Sequence, residues 1–309
     1  MKRVQYDRYG GPEEMCIAEY TLPHLEQGMV RVRVRAAAIN PLDWKLRRGM
    51  MRLLTGAKFP RGMGSDFAGV VEAVGGGVAG IQVGDEVLGT VDMKRQGAFA
   101  EVVDTDARLV TRKAATLSFS EAACLPIPAA TAWAAIVNAA LAGPSSRIFI
   151  NGCSGAVGSF AVQLALAHGA SVSGAAGTAS MASVRAAGVN PVFGYADKAS
   201  FASSGPHDAV FDTLGTLSVA DGLALLKPKG LFLDINPTLG RILRGFISRR
   251  YKLVFSTIGY KNLPDIAAAA AQGKLRPSIG LEAPFADALS VIKNVELGQR
   301  SPGRAVLLM

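Results

Sequence analysis

The sequence predicts an α/β protein in which a small β-barrel-like domain accompanies a parallel sheet built from βαβ units. Three features predict it. The first third breaks into short strand-like runs with frequent turn signals. From about Ser118 onward, strand-like and helix-like runs alternate. One glycine-rich turn, Gly152-Cys153-Ser154-Gly155-Ala156-Val157-Gly158, sits between a strand pattern and a helix pattern. The 309 residues suffice for about two domains with their own hydrophobic cores.

The elements follow in order. Val30-Arg-Val-Arg-Val-Arg35 alternates, so Arg31, Arg33 and Arg35 mark the wet face of a strand. Ala68–Val74 is β-rich and ends in Gly75-Gly76-Gly77. Val83-Gly-Asp-Glu-Val87 is a turn running into a strand, and Ala98–Val103 is the next one. Ser118 or Ser120 is placed to cap a helix that has Glu121 in its first turn. Arg147–Ile150 reads as a buried strand, then come the glycine turn and helical Phe160–His168. Strands are expected at Ser171–Ser173, Ala209–Asp212 and Gly230–Asp234, with a helix over Ala179–Ala187. An Ala-rich helix leads from Leu263 toward Pro277, and Arg304–Leu308 closes the chain as a strand.

Composition excludes several classes. Met1–Val30 carries charges throughout and has no apolar core, so no signal peptide is read there. Cys16, Cys124 and Cys153 are too scattered for a disulfide framework, and a cytoplasmic protein is expected. Ala122–Ser146 holds no charge, but Pro126, Pro128, Thr131 and Asn138 interrupt it. A helix buried between two domains explains it better than a membrane span. The net charge of +9 favours anionic ligands. No zinc-finger spacing and no RNP-like motif accompanies that charge, so nucleic acid is not the expected partner. The densest basic group is Lys45, Arg47, Arg48, Arg52, Lys58 and Arg61. It reads either as a solvated loop or as an attractor for an anionic substrate or cofactor phosphates.

In the glycine turn, each glycine has a role. Gly152 permits a sharp turn, Gly155 lets the backbone approach a pyrophosphate, and Gly158 lets helix and strand pack closely. The helix N-terminus then offers free N–H groups and a positive dipole end to the phosphates. A site preferring NAD usually places Asp or Glu about 20 residues further on, to hold the ribose 2′-OH. Ala122–Ala196 contains no Asp or Glu. Gly174-Ala-Ala-Gly-Thr178 fills the expected position and leaves room for a 2′-phosphate, with Arg185 as the candidate charged partner. NADPH is therefore the expected cofactor.

Tyr9-Gly-Gly-Pro12, Ala36-Ala-Ala-Ile-Asn-Pro-Leu-Asp43, Gly64-Ser-Asp-Phe-Ala-Gly69, Val83-Gly-Asp-Glu-Val87 and Asn151–Gly158 come in an order that resembles the medium-chain dehydrogenases/reductases. Asn40-Pro-Leu-Asp-Trp-Lys45 is similar to the quinone oxidoreductase branch, in particular its plant chloroplast quinone-oxidoreductase-like and enone oxidoreductase members. This resemblance implies a GroES-like catalytic domain, residues 1–118 and 273–309, with a Rossmann NADP-binding domain, residues 119–272, inserted into it. It also implies a homodimer, and Tyr251–Ser256 is an apolar run at the matching place.

Zinc-dependent relatives carry Cys where this chain has Asn40, and His-Glu where it has Ser65-Asp66. The Cys-rich lobe is absent from Gly89–Gly97, so neither zinc site can be assembled and no metal is expected. Without zinc, the accessible acceptors are those that spread developing charge through conjugation, namely quinones and α,β-unsaturated carbonyls. Fixed donors near the oxygen lower that barrier. The resemblance makes Asn40, Asp43 and Lys45 the catalytic candidates, and Lys45 tilts the reading toward enones. Asp43 has two further readings, orienting Lys45 or capping the next helix, and Asp66 is read as structural. The resemblance further assigns Thr131 and Asn236 near the nicotinamide and its ribose. It assigns Ser154, Gly155, Ala156 and Val157 to the pyrophosphate turn, and Gly177, Thr178 and Tyr195 to the adenosine phosphate. The expected function is zinc-independent NADPH reduction of a quinone or enone. The alternatives are an enoyl reductase of secondary metabolism acting on a thioester or polyketide-like intermediate, and an NADPH-binding sensor with little turnover.

Overall fold

A computed structural model describes residues 1–236, 238–299 and 302–309 of the chain. The first strands are β1 (Lys2–Tyr6), β2 (Met15–Glu19), β3 (Met29–Ala38) and β4 (Arg61–Gly62). They are followed by β5 (Asp66–Val74), β6 (Glu86–Thr90), β7 (Val102–Asp106) and β8 (Val110–Arg112). The parallel half contains β9 (Arg147–Asn151), β10 (Ser171–Ala176), β11 (Val192–Gly194), β12 (His207–Asp212), β13 (Leu226–Asp234) and β14 (Tyr251–Leu253). The chain ends with β15 (Ile279–Pro284) and β16 (Arg304–Leu308).

Two compact units form: residues 1–127 with 260–309, and residues 128–259. Both changeovers fall inside the span 119–272 that the resemblance implies for the nucleotide-binding half. The reason is packing. Helix Phe119–Ala123 lies on β3 and β5, and helix Leu263–Ala271 lies on β8, so the barrel claims both.

In the first unit, β3 is the central strand. It pairs antiparallel with β5, β7 and β16, within the sheet order β15-β16-β3-β5-β6-β8. Val30, Val32 and Val34 point into the core, while Arg33 and Arg35 face solvent and Arg31 pairs with Asp104 at 2.8 Å, as the alternation predicts. Phe67 and Phe99 join those valines in the core. Full burial of each such ring stabilises by about 2–3 kcal/mol. The strand expected at Ala98–Val103 begins four residues later. Ala98 and Phe99 are tied instead to Gly64 and Met63 carbonyls, and the ladder to β3 starts at Val102.

The second unit is a six-stranded parallel sheet in the order β11-β10-β9-β12-β13-β14. Renumbered within the unit, the order is 3-2-1-4-5-6, the doubly wound arrangement. The order reverses between β9 and β12, where ligands bind outside the carboxyl ends of the strands. Ser118 caps its helix, its hydroxyl accepting from Glu121 N at 3.1 Å, with the Glu121 side chain accepting in return from Ser118 N. The uncharged Ala122–Ser146 stretch is divided among helices Phe119–Ala123 and Pro126–Trp133 and a π-helical turn, Ala134–Ala139. Among the described residues, no helix is long and apolar enough to cross a membrane.

Candidate active site

In the second unit the glycine turn leaves β9 and enters helix Ala156–Ala167. Gly152 has φ 99°, and a Cβ there would overlap Thr213 Oγ1. Gly155 precedes the helix in extended conformation, φ −74° and ψ 167°. A Cβ on Gly158 would overlap the Gly152 carbonyl oxygen, so only glycine lets the helix sit this close to the turn. The backbone N–H groups of Gly152 and Cys153 both donate to Ala175 O at 3.0 Å, which ties the turn to β10. Ala156, Val157 and Gly158 are the first helical residues, whose N–H groups lack helical partners and suit an anion.

Tyr195 is brought to this turn. Its ring lies 3.7 Å from where a Gly177 Cβ would stand, and its phenol feels the nearby Ser154 side chain and Gly177 backbone. Partial burial pushes its phenol upward. Thr178 is exposed just past β10. Arg185 is exposed in helix Met181–Ala186 and makes no ion pair among the described residues. Thr131 is buried within helix Pro126–Trp133. Cys153 Sγ donates to Ile150 O, and burial raises its thiol to about 12, so it is inert packing.

A row of polar strand ends was not singled out by sequence reasoning. Asn151 Nδ2, at the end of β9, donates to Asp212 Oδ1, at the end of β12, at 2.8 Å. Asp212 also accepts from the backbone N–H groups of Leu214, Gly215 and Leu217. At the end of β13, Asp234 accepts from Asn236 N at 2.8 Å and Tyr251 Oη at 3.0 Å, and pairs with Arg241. Asn236 packs against Gly215, where a Cβ would meet Asn236 Cγ at 2.6 Å. The signal for this row is the polar residue that closes each apolar strand run.

In the first unit, the candidates Asn40, Asp43 and Lys45 gather at helix Pro41–Arg47. Pro41 begins the helix, where a missing N–H costs nothing. Asp43 caps the helix by accepting from Asn40 N at 2.7 Å, while its other oxygen accepts from Ser65 Oγ at 2.8 Å. Asn40 Nδ2 donates to Asp66 Oδ2 at 3.0 Å, and Asp66 accepts from Ile127 N. Asp43 and Asp66 are wholly buried. Burial pushes Asp43 up to about 7 and Asp66 up to about 6, against the downward pull of their donors and of the Arg304 guanidinium. Arg304 is itself buried, and its charge pulls on Cys124 as well. Lys45 is half-buried and, among the described residues, makes no ion pair and no side-chain hydrogen bond.

The reading of the basic group as one solvated or substrate-attracting loop is corrected. Arg47 and Glu296 are both fully buried and pair at 2.6 Å, while Arg48 takes the other Glu296 oxygen. Arg61 is buried and donates to the carbonyls of Thr55, Gly56 and Lys94. Arg52 and Lys58 alone remain as freely exposed members of that group.

Two family models match: "Alcohol dehydrogenase GroES-like domain" over residues 26–116 and "Zinc-binding dehydrogenase" over residues 187–307. A chloroplastic quinone-oxidoreductase of Triphysaria versicolor is 31% identical over 247 residues, 77% of this chain and 75% of the relative. An NADPH-dependent alkenal/one oxidoreductase of Arabidopsis thaliana is 33% identical over 224 residues, 70% of this chain and 58% of that protein. Among solved structures, the quinone oxidoreductase of Coxiella burnetii superposes with a TM-score of 0.89 at 27% identity, covering 100% of this chain and 99% of the other.

Proposed function

The chain belongs to the medium-chain dehydrogenase/reductase family of oxidoreductases, and from that premise we propose that it is an NADPH-dependent, zinc-independent reductase of quinones or α,β-unsaturated carbonyls. The observation that carries this reading is the hydrogen bond from Asn40 Nδ2 to Asp66 Oδ2. An amide nitrogen is no zinc ligand, and here it is committed to one oxygen of the Asp66 carboxylate, which also accepts from Ile127 N. These residues do not fit zinc, so developing charge has to be met by hydrogen-bond donors. The names of the quinone and alkenal/one relatives support conjugated acceptors.

The glycine turn fits the pyrophosphate of a nicotinamide cofactor, held by the first N–H groups of helix Ala156–Ala167. Ser154 would join the pyrophosphate turn, Gly177, Thr178, Tyr195 and Arg185 would surround the adenosine phosphate, and Thr131 and Asn236 the nicotinamide end. When bound, the nicotinamide supplies a hydride to the electrophilic carbon of the acceptor. Lys45 then donates to the acceptor oxygen as it gains negative charge. Asn40 and Asp43 are buried and bonded to each other, so their role is to fix the helix that carries Lys45. The open outer edge of β14 is the candidate for a homodimer contact.

With one quinone or enone acceptor, kcat/KM is expected to favour NADPH over NADH by about tenfold or more, the worth of one charge-assisted bond to the 2′-phosphate. Equal efficiencies, or a preference for NADH, would sink the cofactor assignment. Lys45→Ala is expected to lower kcat/KM for an enone about tenfold with the melting temperature unchanged, since water can partly replace a half-buried donor. An unchanged kcat/KM refutes the role of Lys45.

A further inference from the structure

Helix Leu239–Ile247 turns an arginine inward and, among the described residues, shows apolar side chains to solvent. Its Arg241 points inward, pairing with Asp234 and donating to the carbonyls of Gly215 and Leu217. Leu243 and Ile247, one turn apart on roughly the opposite side, are 55% and 82% exposed, and Ile242 beside them is exposed as well. A surface helix ordinarily buries its apolar stripe and shows its charges to water. Here polar bonds hold Arg241 inward, and the described apolar side chains Ile242, Leu243 and Ile247 face out.

The charged residues of the segment that carries these side chains are all of one sign. Residues 235–259 contain Arg241, Arg244, Arg249, Arg250 and Lys252 and no Asp or Glu. Arg241 serves Asp234, and Arg250 donates to the carbonyls of Lys227 and Gly230. Arg244 and Arg249 are exposed and make no ion pair among the described residues, while Lys252 belongs to β14. We infer that this helix, with Ile242, Leu243 and Ile247 exposed and Arg244 and Arg249 beside them in the chain, docks on an anionic lipid surface. Apolar side chains enter the boundary between headgroups and acyl chains, while the cations meet the headgroups. The inference does not depend on which acceptor is reduced.

The test uses the whole protein and sedimentation with two kinds of vesicle, phosphatidylcholine alone and phosphatidylcholine with roughly 30% phosphatidylserine. The wild type is expected to bind the anionic vesicles at least about tenfold more tightly, with the difference shrinking at high salt. L243S/I247S is expected to lose binding about tenfold or more at an unchanged melting temperature. R244Q/R249Q is expected to lose the preference for anionic lipid. Equal binding to both vesicles overturns the inference, as does full binding by L243S/I247S. So does a wild type that ignores vesicles while L243S/I247S converts a dimer to a monomer, because the stripe then belongs to a second copy.

Discussion

Gly158→Ala is expected to destabilise the second unit by about 3 kcal/mol or more and to remove most nucleotide affinity with it. The added Cβ would overlap Gly152 O and come 2.7 Å from the Gly152 carbonyl carbon. Both obstacles are backbone, so no side chain can swing aside. Helix Ala156–Ala167 would have to retreat from the turn, and its first N–H groups would move with it. Stability and binding therefore fall together. Thermal unfolding should show a melting temperature lower by roughly 6–12 °C, and calorimetric titration with NADPH should show weakened binding. Gly155→Ala is the control for stability, because its Cβ would approach only Gly152 O, at 3.4 Å, an ordinary contact; it is expected to keep the melting temperature while weakening binding, since that Cβ stands where the pyrophosphate approaches. A G158A protein that melts and binds like the wild type would remove the structural basis of the proposed nucleotide site.

That turn is legible in the sequence because it is local: a strand, three glycines and a helix lie within a short run, and the alternation of strands and helices around it implies the parallel sheet. The arginines of the first unit are illegible for the opposite reason. Arg47 looks like a loop residue beside Arg48, yet its partner Glu296 is 249 positions away. Arg61 likewise spends its donors on carbonyls that no pattern marks. Ala98–Val103 reads as a strand because it is apolar, but Ala98 and Phe99 are apolar for the core while the ladder starts beyond them. Asn151, Asp212 and Asp234 each close an apolar run, and only the strand order brings Asn151 and Asp212 together. Lys45 is a candidate through resemblance. What the structure adds is the reason its helix is fixed: Asn40 and Asp43 are spent on each other, Ser65 and Asp66.

The same buried cluster should make stability depend on pH in an unusual direction. Two carboxyls sit without exposure, and burial holds Asp43 at about 7 and Asp66 at about 6. In the unfolded chain both titrate near the ordinary value of about 3.9. Between those limits the folded state keeps protons that the unfolded state has released. Stability from these groups is therefore full below about pH 4, declines as pH rises, and levels off above about pH 7. A tenfold difference in proton affinity between folded and unfolded states is worth about 1.4 kcal/mol, so Asp43 alone accounts for about 3 kcal/mol across that window once its coupling to Asp66 is discounted. Other carboxylates titrate over the same range, and Asp43→Asn isolates the contribution. The variant has nothing to ionise at that position, and its amide can still bond Ser65 and Asn40. Denaturant unfolding of both proteins at pH 4.5, 6 and 8 is expected to show D43N gaining on the wild type by about 3 kcal/mol from the lowest pH to the highest. A constant difference between the two curves would mean that Asp43 ionises as easily in the fold as out of it. The network of Asn40, Ser65 and Asp66 would then be holding a carboxylate, and its donors would outweigh the cost of burying charge.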